Sequence, residues 1–291
     1  MPPIATSGPR RPIDVLLCAL SCLWLAGCSV NHVSATRKVD SEVDGAKSIL
    51  VSNRSGSVTV IRDPAATVMQ VSAEISCPGE TEEKAAARAA AATLTAARDE
   101  HGTVSISVDF PARPPVVVVL GTVDTSDDSA DIVIRAADLD GIDISTANGS
   151  IDVGAFKGTA KLATSNGSIE VVGHAGPVDA RSRNGAIRAS GVRAPVVAQT
   201  RNGRIEVALA EDAQGDVTLE TSNSEVVLQL GSAWEGTVTA DTRNGRADLS
   251  GGAVTKESGM KALTMVVGDA AKAKATVGTR NGSITVRSPQ T

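Results

Sequence analysis

Thr164-Ser165-Asn166-Gly167-Ser168-Ile169-Glu170-Val171 decides how this chain folds, because the phrase returns as Thr200-Arg201-Asn202-Gly203-Arg204-Ile205-Glu206-Val207 and in five further copies. Its asparagines are Asn148, Asn166, Asn184, Asn202, Asn223, Asn244 and Asn281; the first four are 18 residues apart, the next two steps are 21 and the last is 37. A repeat of this length that carries one apolar face must bury that face against its neighbours, which is the signature of a stacked solenoid.

Within each unit, apolar residues lie six and four positions before the asparagine and three and five after it, as in Ile142/Ile144 and Ile151/Val153. That is period two on both sides of Asn-Gly, so each unit reads as two short strands joined at a corner. Thr or Ser stands two residues before every asparagine, from Thr146 to Thr279. Asn-Gly is also a strong hairpin signal, and an antiparallel meander would place Ile144 opposite Val153. A meander leaves one apolar face needing a second layer, however, and little chain remains to supply it. The expectation is therefore an all-β fold: a single-stranded right-handed β-solenoid of about 18–21-residue coils, with like residues stacked at about 4.8 Å so that Asn amides can form ladders. Asn148, Gly149, Asn166, Gly167, Asn184, Gly185, Asn202, Gly203, Asn244, Gly245, Asn281 and Gly282 are expected to form the turns, with the glycines at positive φ. Ser224 replaces glycine after Asn223, and a loop or degenerate coil is expected around Gly251–Gly268.

Ahead of the repeats, Ser48 to Ile61 reads as a degenerate copy with Ser55-Gly56 at the corner. Thr81 to about Glu100 reads as one helix that caps the solenoid: Thr81 caps it, Glu82 and Glu83 suit the positive end of the dipole, and Gly102 stops it. Strands are expected over Val68 to Ile75, Val104 to Phe110 and Val116 to Leu120. The domain reading is a signal peptide over 1–27, a tether over 28–37, a strand region with the helix over 38–135, and the solenoid over 136–288.

The N-terminus reads as an export signal. Arg10 and Arg11 precede the uncharged stretch Val15 to Gly27, whose 13 residues fall short of the about 20 needed to span a bilayer. Leu25-Ala26-Gly27-Cys28 resembles a bacterial lipobox, which makes Cys28 the lipidation site and the expected location the cell envelope, lipid-anchored, in the outer membrane if the organism has one. Cys77 would then be the one thiol left, leaving no intrachain disulfide and no multi-cysteine metal site. The net charge of −5 does not suit a nucleic-acid-binding protein, and Trp24, Phe110, Phe156 and Trp234 are the whole aromatic inventory.

Arg183, Arg201, Arg243 and Arg280 each precede an asparagine, and Arg204 and Arg246 follow one by two residues. Stacked coils would line Arg183, Arg201, Arg204, Arg243 and Arg246 into an anion-binding stripe, against the plainer reading of a solvated face balanced by Glu206, Glu220, Asp241 and Asp248. Asp124, Asp127, Asp128 and Asp131 read as an acidic loop rather than a calcium site. Asp152 and Glu170, one coil apart, are the nearest carboxylate pair, and His32, His101 and His174 are dispersed. No catalytic, metal or cofactor motif occurs.

The repeated T-x-N-G phrase behind a strand-and-helix region is similar to the bacterial putative-adhesin domains of unknown function of the head-GIN type, over roughly residues 45–288. The resemblance implies a right-handed β-solenoid on an exported, often lipid-anchored protein. The functional expectation is a non-enzymatic binding, adhesin-like or structural envelope module whose partner is an envelope protein or glycan, without cofactor, metal or nucleic acid. A β-solenoid polysaccharide lyase or hydrolase is the alternative.

Overall fold

The computed structural model describes residues 33–112, 127–193, 195–256 and 262–289. Cys28, the signal segment, the Val116 to Leu120 strand and Asp124 lie outside them. The described chain is all-β with one helix, and its strands form two sheets of 11 and 12 strands.

In chain order, β1 (Val33–Val43), β2 (Ser48–Ser55), β3 (Val58–Arg62) and β4 (Met69–Gly79) precede helix α1 (Glu82–Ala91). Next come β5 (Thr93–Arg98), β6 (Thr103–Asp109), β7 (Ser129–Ala136), β8 (Gly141–Asn148) and β9 (Ile151–Val153). The regular coils follow as β10 (Thr159–Thr164), β11 (Ile169–Val172), β12 (Val178–Ser182), β13 (Ile187–Val192), β14 (Val196–Gln199), β15 (Ile205–Leu209), β16 (Val217–Thr221) and β17 (Val226–Gln229). The chain closes with β18 (Gly236–Thr242), β19 (Ala247–Ser250), β20 (Ala253–Lys256), β21 (Leu263–Val267), β22 (Lys274–Thr279) and β23 (Ile284–Arg287).

Pairing between units is parallel and in register. Ile151, Ile169, Ile187 and Ile205 are successive partners in one sheet, and Ile142, Ala160, Val178 and Val196 in the other. The meander is thereby excluded: Ile144 lies beside Leu162 on one side and Val51 on the other, not opposite Val153. The inward pairs of both sheets are buried through the stack, save that Ala247 in the end coil is half-buried. The core is correspondingly narrow, filled by Val, Ile, Leu and Ala, with Phe156 and Trp234 buried where the chain turns from one sheet to the next.

Coil order in space departs from the sequence at both ends. Near the N-terminus, β2 and β3 stack on β8 and β9, while β6 and β7 stack on their far side. Near the C-terminus, β22 pairs with both β16 and β18, and β23 with both β17 and β19. The last repeat is therefore wedged between the Asn223 and Asn244 units. Antiparallel strands finish three of the four sheet ends: β4 and β1 on β7, β5 on β6, and β21 with β20 on β18. Such covering limits edge-to-edge association.

Several expectations change. The tether does not reach Arg37, because β1 begins at Val33 and pairs along its length with β4. The helix is half the expected length: Thr81 Oγ1 caps it by accepting from Lys84 N at 3.3 Å, but it ends at Ala91, and Thr93 to Arg98 pair with β6. Thr93, Leu94 and Thr95 alternate in the β manner, and Gly102, at φ +88°, belongs to the hairpin turn. Buried alanines hold α1 against β1 and β4, and Arg37 donates to the Ala90 and Ala92 carbonyls at its C-terminal end. Within the segment around Gly251–Gly268, where a loop or degenerate coil is expected, β20 and β21 pair antiparallel, and residues 257–261 between them lie outside the described ones.

A candidate ligand-binding corner

One corner of the solenoid is built from three columns. Asparagine amides form the first, in the order Asn148, Asn166, Asn184, Asn202, Asn223, Asn281, Asn244, with each Nδ2 after the first donating to the Oδ1 of the asparagine before it at 2.7–2.8 Å. The second is hydroxyl to carbonyl: Thr164, Ser182, Thr200 and Thr221 donate to the carbonyls of Gly149, Gly167, Gly185 and Gly203 at 3.0–3.1 Å. Thr279 donates likewise to Ser224 and Thr242 to Gly282. Thr146 is the exception, a buried hydroxyl without a hydrogen-bond partner, where Asn53 Nδ2 donates instead to the Gly56 carbonyl.

Glycine forms the third column, for a reason other than the expected one. None of Gly149, Gly167, Gly185, Gly203, Gly245 and Gly282 has φ in the left-handed region. A Cβ at Gly185 would stand 1.7 Å from the Gly167 carbonyl oxygen, and at the other five the oxygen of the neighbouring coil would be 1.7–1.9 Å away. The requirement is close approach of stacked backbones. At Ser224 the Asn ladder and the Thr221 hydrogen bond persist.

This frame fixes the residue before each asparagine in a surface row. Backbone hydrogen bonds set its order as Arg183, Arg201, Ser222, Arg280, Arg243. All four arginines are exposed, and at one coil per step of about 4.8 Å they line one corner. Arg204 and Arg246 do not join them. They lie across the asparagine ladder, in the row two residues after it, where Arg204 sits 3.8 Å from Glu206 and 3.6 Å from Glu225.

Beside the row, a groove of about 370 Å³ is lined by Glu220, Ser222, Asp241, Arg243, Gly278 and Arg280, among others. Gly278 pairs in register with Glu220 on one side and Asp241 on the other. Its missing side chain makes the groove, for a Cβ there would meet only Glu220 Cγ, at 4.0 Å. Gln199 Nε2 donates to Glu220 Oε2 at 3.0 Å. The residues preceding the asparagines were legible in the repeat. The groove was not, because Gly278 comes between Glu220 and Asp241 only through the wedging of the last repeat.

The remaining candidates are placed elsewhere. Asp152 and Glu170 are register partners on the outer face, and partial burial, with the Glu170 charge second, pushes the Asp152 carboxyl up. Asp128 pairs with Arg88 at 2.7 Å, and Asp131 Oδ1 accepts from Ser57 N and Oγ. His101 is exposed in a turn. His174 is fully buried 18 residues after Phe156, filling the opposite corner, with Nε2 2.8 Å from the Gly158 carbonyl. Burial holds its imidazole below the ordinary value.

Stacked parallel coils with these inter-coil columns define a β-solenoid-like repeat protein. The chain belongs to the Toastrack DUF4097 family, whose model matches residues 30–250. Among solved structures it is similar to a putative cell adhesion protein from Clostridium sporogenes ATCC 15579, at 12% identity over 87% of this chain and 100% of that one, with a TM-score of 0.34. A putative adhesin from Bacteroides fragilis NCTC 9343 matches at 12% identity over 87% and 97%, with a TM-score of 0.27. No match to a curated protein was found. Among the described residues no helix is long and apolar enough to cross a membrane.

Proposed function

We propose that this chain is an exported, lipid-anchored envelope protein that binds an anionic surface or envelope polymer along its arginine corner, without catalysing a reaction. The observation that carries the reading is the row Arg183, Arg201, Ser222, Arg280, Arg243, a line of cations on a rigid frame. In-register like charges repel, and an anion laid along the row relieves that repulsion through charge-assisted hydrogen bonds. The lipobox at Leu25 to Cys28 and the T-x-N-G likeness to head-GIN-type domains support the envelope address. A right-handed coil of 18–21 residues is part of the same reading, since parallel crossovers are right-handed in about 98% of cases.

Binding of polygalacturonate by the purified protein tests the proposal. It should weaken as salt is raised and be lost in Arg183→Glu/Arg201→Glu, with the thermal midpoint unchanged. Equal affinity in that variant at matched salt overturns the anion reading. Turnover of the polymer that Asp152→Asn abolishes would replace it with the lyase or hydrolase reading. For the anchor, Cys28→Ala should leave the membrane fraction or stay unprocessed; normal cleavage with retention on membranes would remove Cys28 from that role.

A further inference from the structure

We propose that the groove over Gly278 is a subsite for one acidic sugar residue, a uronate, at one end of the arginine row. The inference deepens the polymer-binding reading and rests on it for the biological source of the ligand.

The shape comes first. Every other unit from Arg181 through Asp241 carries a side chain at the position of Gly278, three residues before its asparagine: Arg181, Gln199, Glu220 and Asp241. One missing side chain in the middle of a continuous outer row leaves a hollow flanked by Glu220 and Asp241, whose backbones lie two strand spacings, about 9–10 Å, apart. That is wide enough to seat one pyranose ring between two carboxylates.

The chemistry of the walls then selects the ligand. Arg280 is exposed and has no ion-pair or hydrogen-bond partner among the described residues for its guanidinium, so it can grip a carboxylate in the bidentate manner. The carboxylates of Glu220 and Asp241 are acceptors without a donor, and these suit sugar hydroxyls. Gln199 holds one oxygen of Glu220 and so fixes the orientation of the other. A phosphate-dense chain such as polyphosphate has no hydroxyls to offer these carboxylates, so their repulsion of its charge goes uncompensated. A neutral sugar leaves Arg280 without its anion. A ligand with hydroxyls and a carboxylate on the same ring uses both kinds of wall. Beyond Ser222 the row continues to Arg201 and Arg183, so a longer acidic chain can run from the groove along the corner.

Titrating the full chain with trigalacturonate tests this, with maltotriose and tripolyphosphate as comparisons. Gly278→Gln fills the groove at a strand position with room for a Cβ and should keep the thermal midpoint while weakening trigalacturonate at least tenfold. Arg280→Ala, an exposed truncation, should do the same. Maltotriose should bind at least tenfold more weakly than trigalacturonate, and any tripolyphosphate binding should be indifferent to Gly278→Gln. Arg183→Glu/Arg201→Glu should leave the trisaccharide within about threefold of wild type. Trigalacturonate affinity unchanged in folded Gly278→Gln and in Arg280→Ala overturns the subsite, as does equal binding of maltotriose. If the trisaccharide fails to bind but polygalacturonate still responds to Arg183→Glu/Arg201→Glu, the groove is wrong and the corner stands. If the trisaccharide binds as described while that double variant leaves polymer binding intact, the corner is wrong and the groove stands.

Discussion

At the scale of single residues, the corner separates two roles that Asn-Gly combines in the sequence. Asn184 is exposed and its amide makes two ladder bonds, to Asn166 and from Asn202. On its removal the freed partners can turn to water, so Asn184→Ala should cost about 1 kcal/mol. Gly185 has no such escape, because even a methyl group would overlap the Gly167 carbonyl oxygen, which also accepts from Ser182. Gly185→Ala should therefore cost about 1–3 kcal/mol or more, and denaturant unfolding of the two variants should rank them in that order. A smaller loss in Gly185→Ala than in Asn184→Ala would mean that the coils can separate there at little cost. The recurrence of glycine was plain in the sequence, but its cause was not: positive φ is a property of one residue, whereas the close approach arises only when two coils are stacked. His174 was opaque for the same reason, since its 18-residue offset from Phe156 marks it as a corner filler only once the period is read through the loops as well as the strands.

At the scale of elements, local pattern was legible wherever a strand is defined by its own alternation. The paired apolar positions from Ile142 to Leu228 became strands β8 to β17 with those residues inward. It failed where a neighbour decides. Ala85 to Ala92 followed by Thr93-Leu94-Thr95 has no internal stop for a helix, and the switch to β5 is set by pairing with β6. Position in the stack likewise follows spatial rather than sequence order. Gly282, in the last repeat, has the Ser224 carbonyl on one side and Gly245 on the other, whereas Gly245 belongs to the coil at the end of its sheet. A methyl group at Gly282 pushes against the Ser224 carbonyl and so displaces a coil packed on both sides, whereas one at Gly245 pushes only the end coil off the Gly282 carbonyl. Gly282→Ala should accordingly lower the thermal midpoint more than Gly245→Ala. The reverse ranking would indicate that the units stack in sequence order.

For the molecule as a whole, the wedged repeat sets the topology. The spacing of 21 residues between Asn223 and Asn244 equals that between Asn202 and Asn223, so nothing in the repeat length announces that another coil will come between them. The corner at Gly231 to Trp234 still sits on the previous coil, with Ala233 N donating to the Glu211 carbonyl and Trp234 Nε1 to the Gly215 carbonyl. The strands and the asparagine corner part, to admit β22, β23 and Asn281. Outward threonines report this directly: Thr276 is the register partner of Thr218 on one side and Thr239 on the other. A disulfide needs Cα atoms within about 4.4–6.8 Å, which neighbouring strands at about 4.8 Å satisfy and strands two apart do not. Mild oxidation should therefore cross-link Thr218→Cys/Thr276→Cys but not Thr218→Cys/Thr239→Cys, while buried Cys77 stays out of reach. Deleting residues 273–291 removes the wedge, and the apolar pairs Val238/Ala240 and Ala247/Leu249 then match the faces left open by β16 and β17. In the shortened chain the gap should close, and Thr218→Cys/Thr239→Cys should become the pair that cross-links, as read by a mobility shift reversed on reduction. Cross-linking of Thr218→Cys/Thr239→Cys in the full chain would place the last repeat at the end of the solenoid, and the groove over Gly278 would lose one of its two walls.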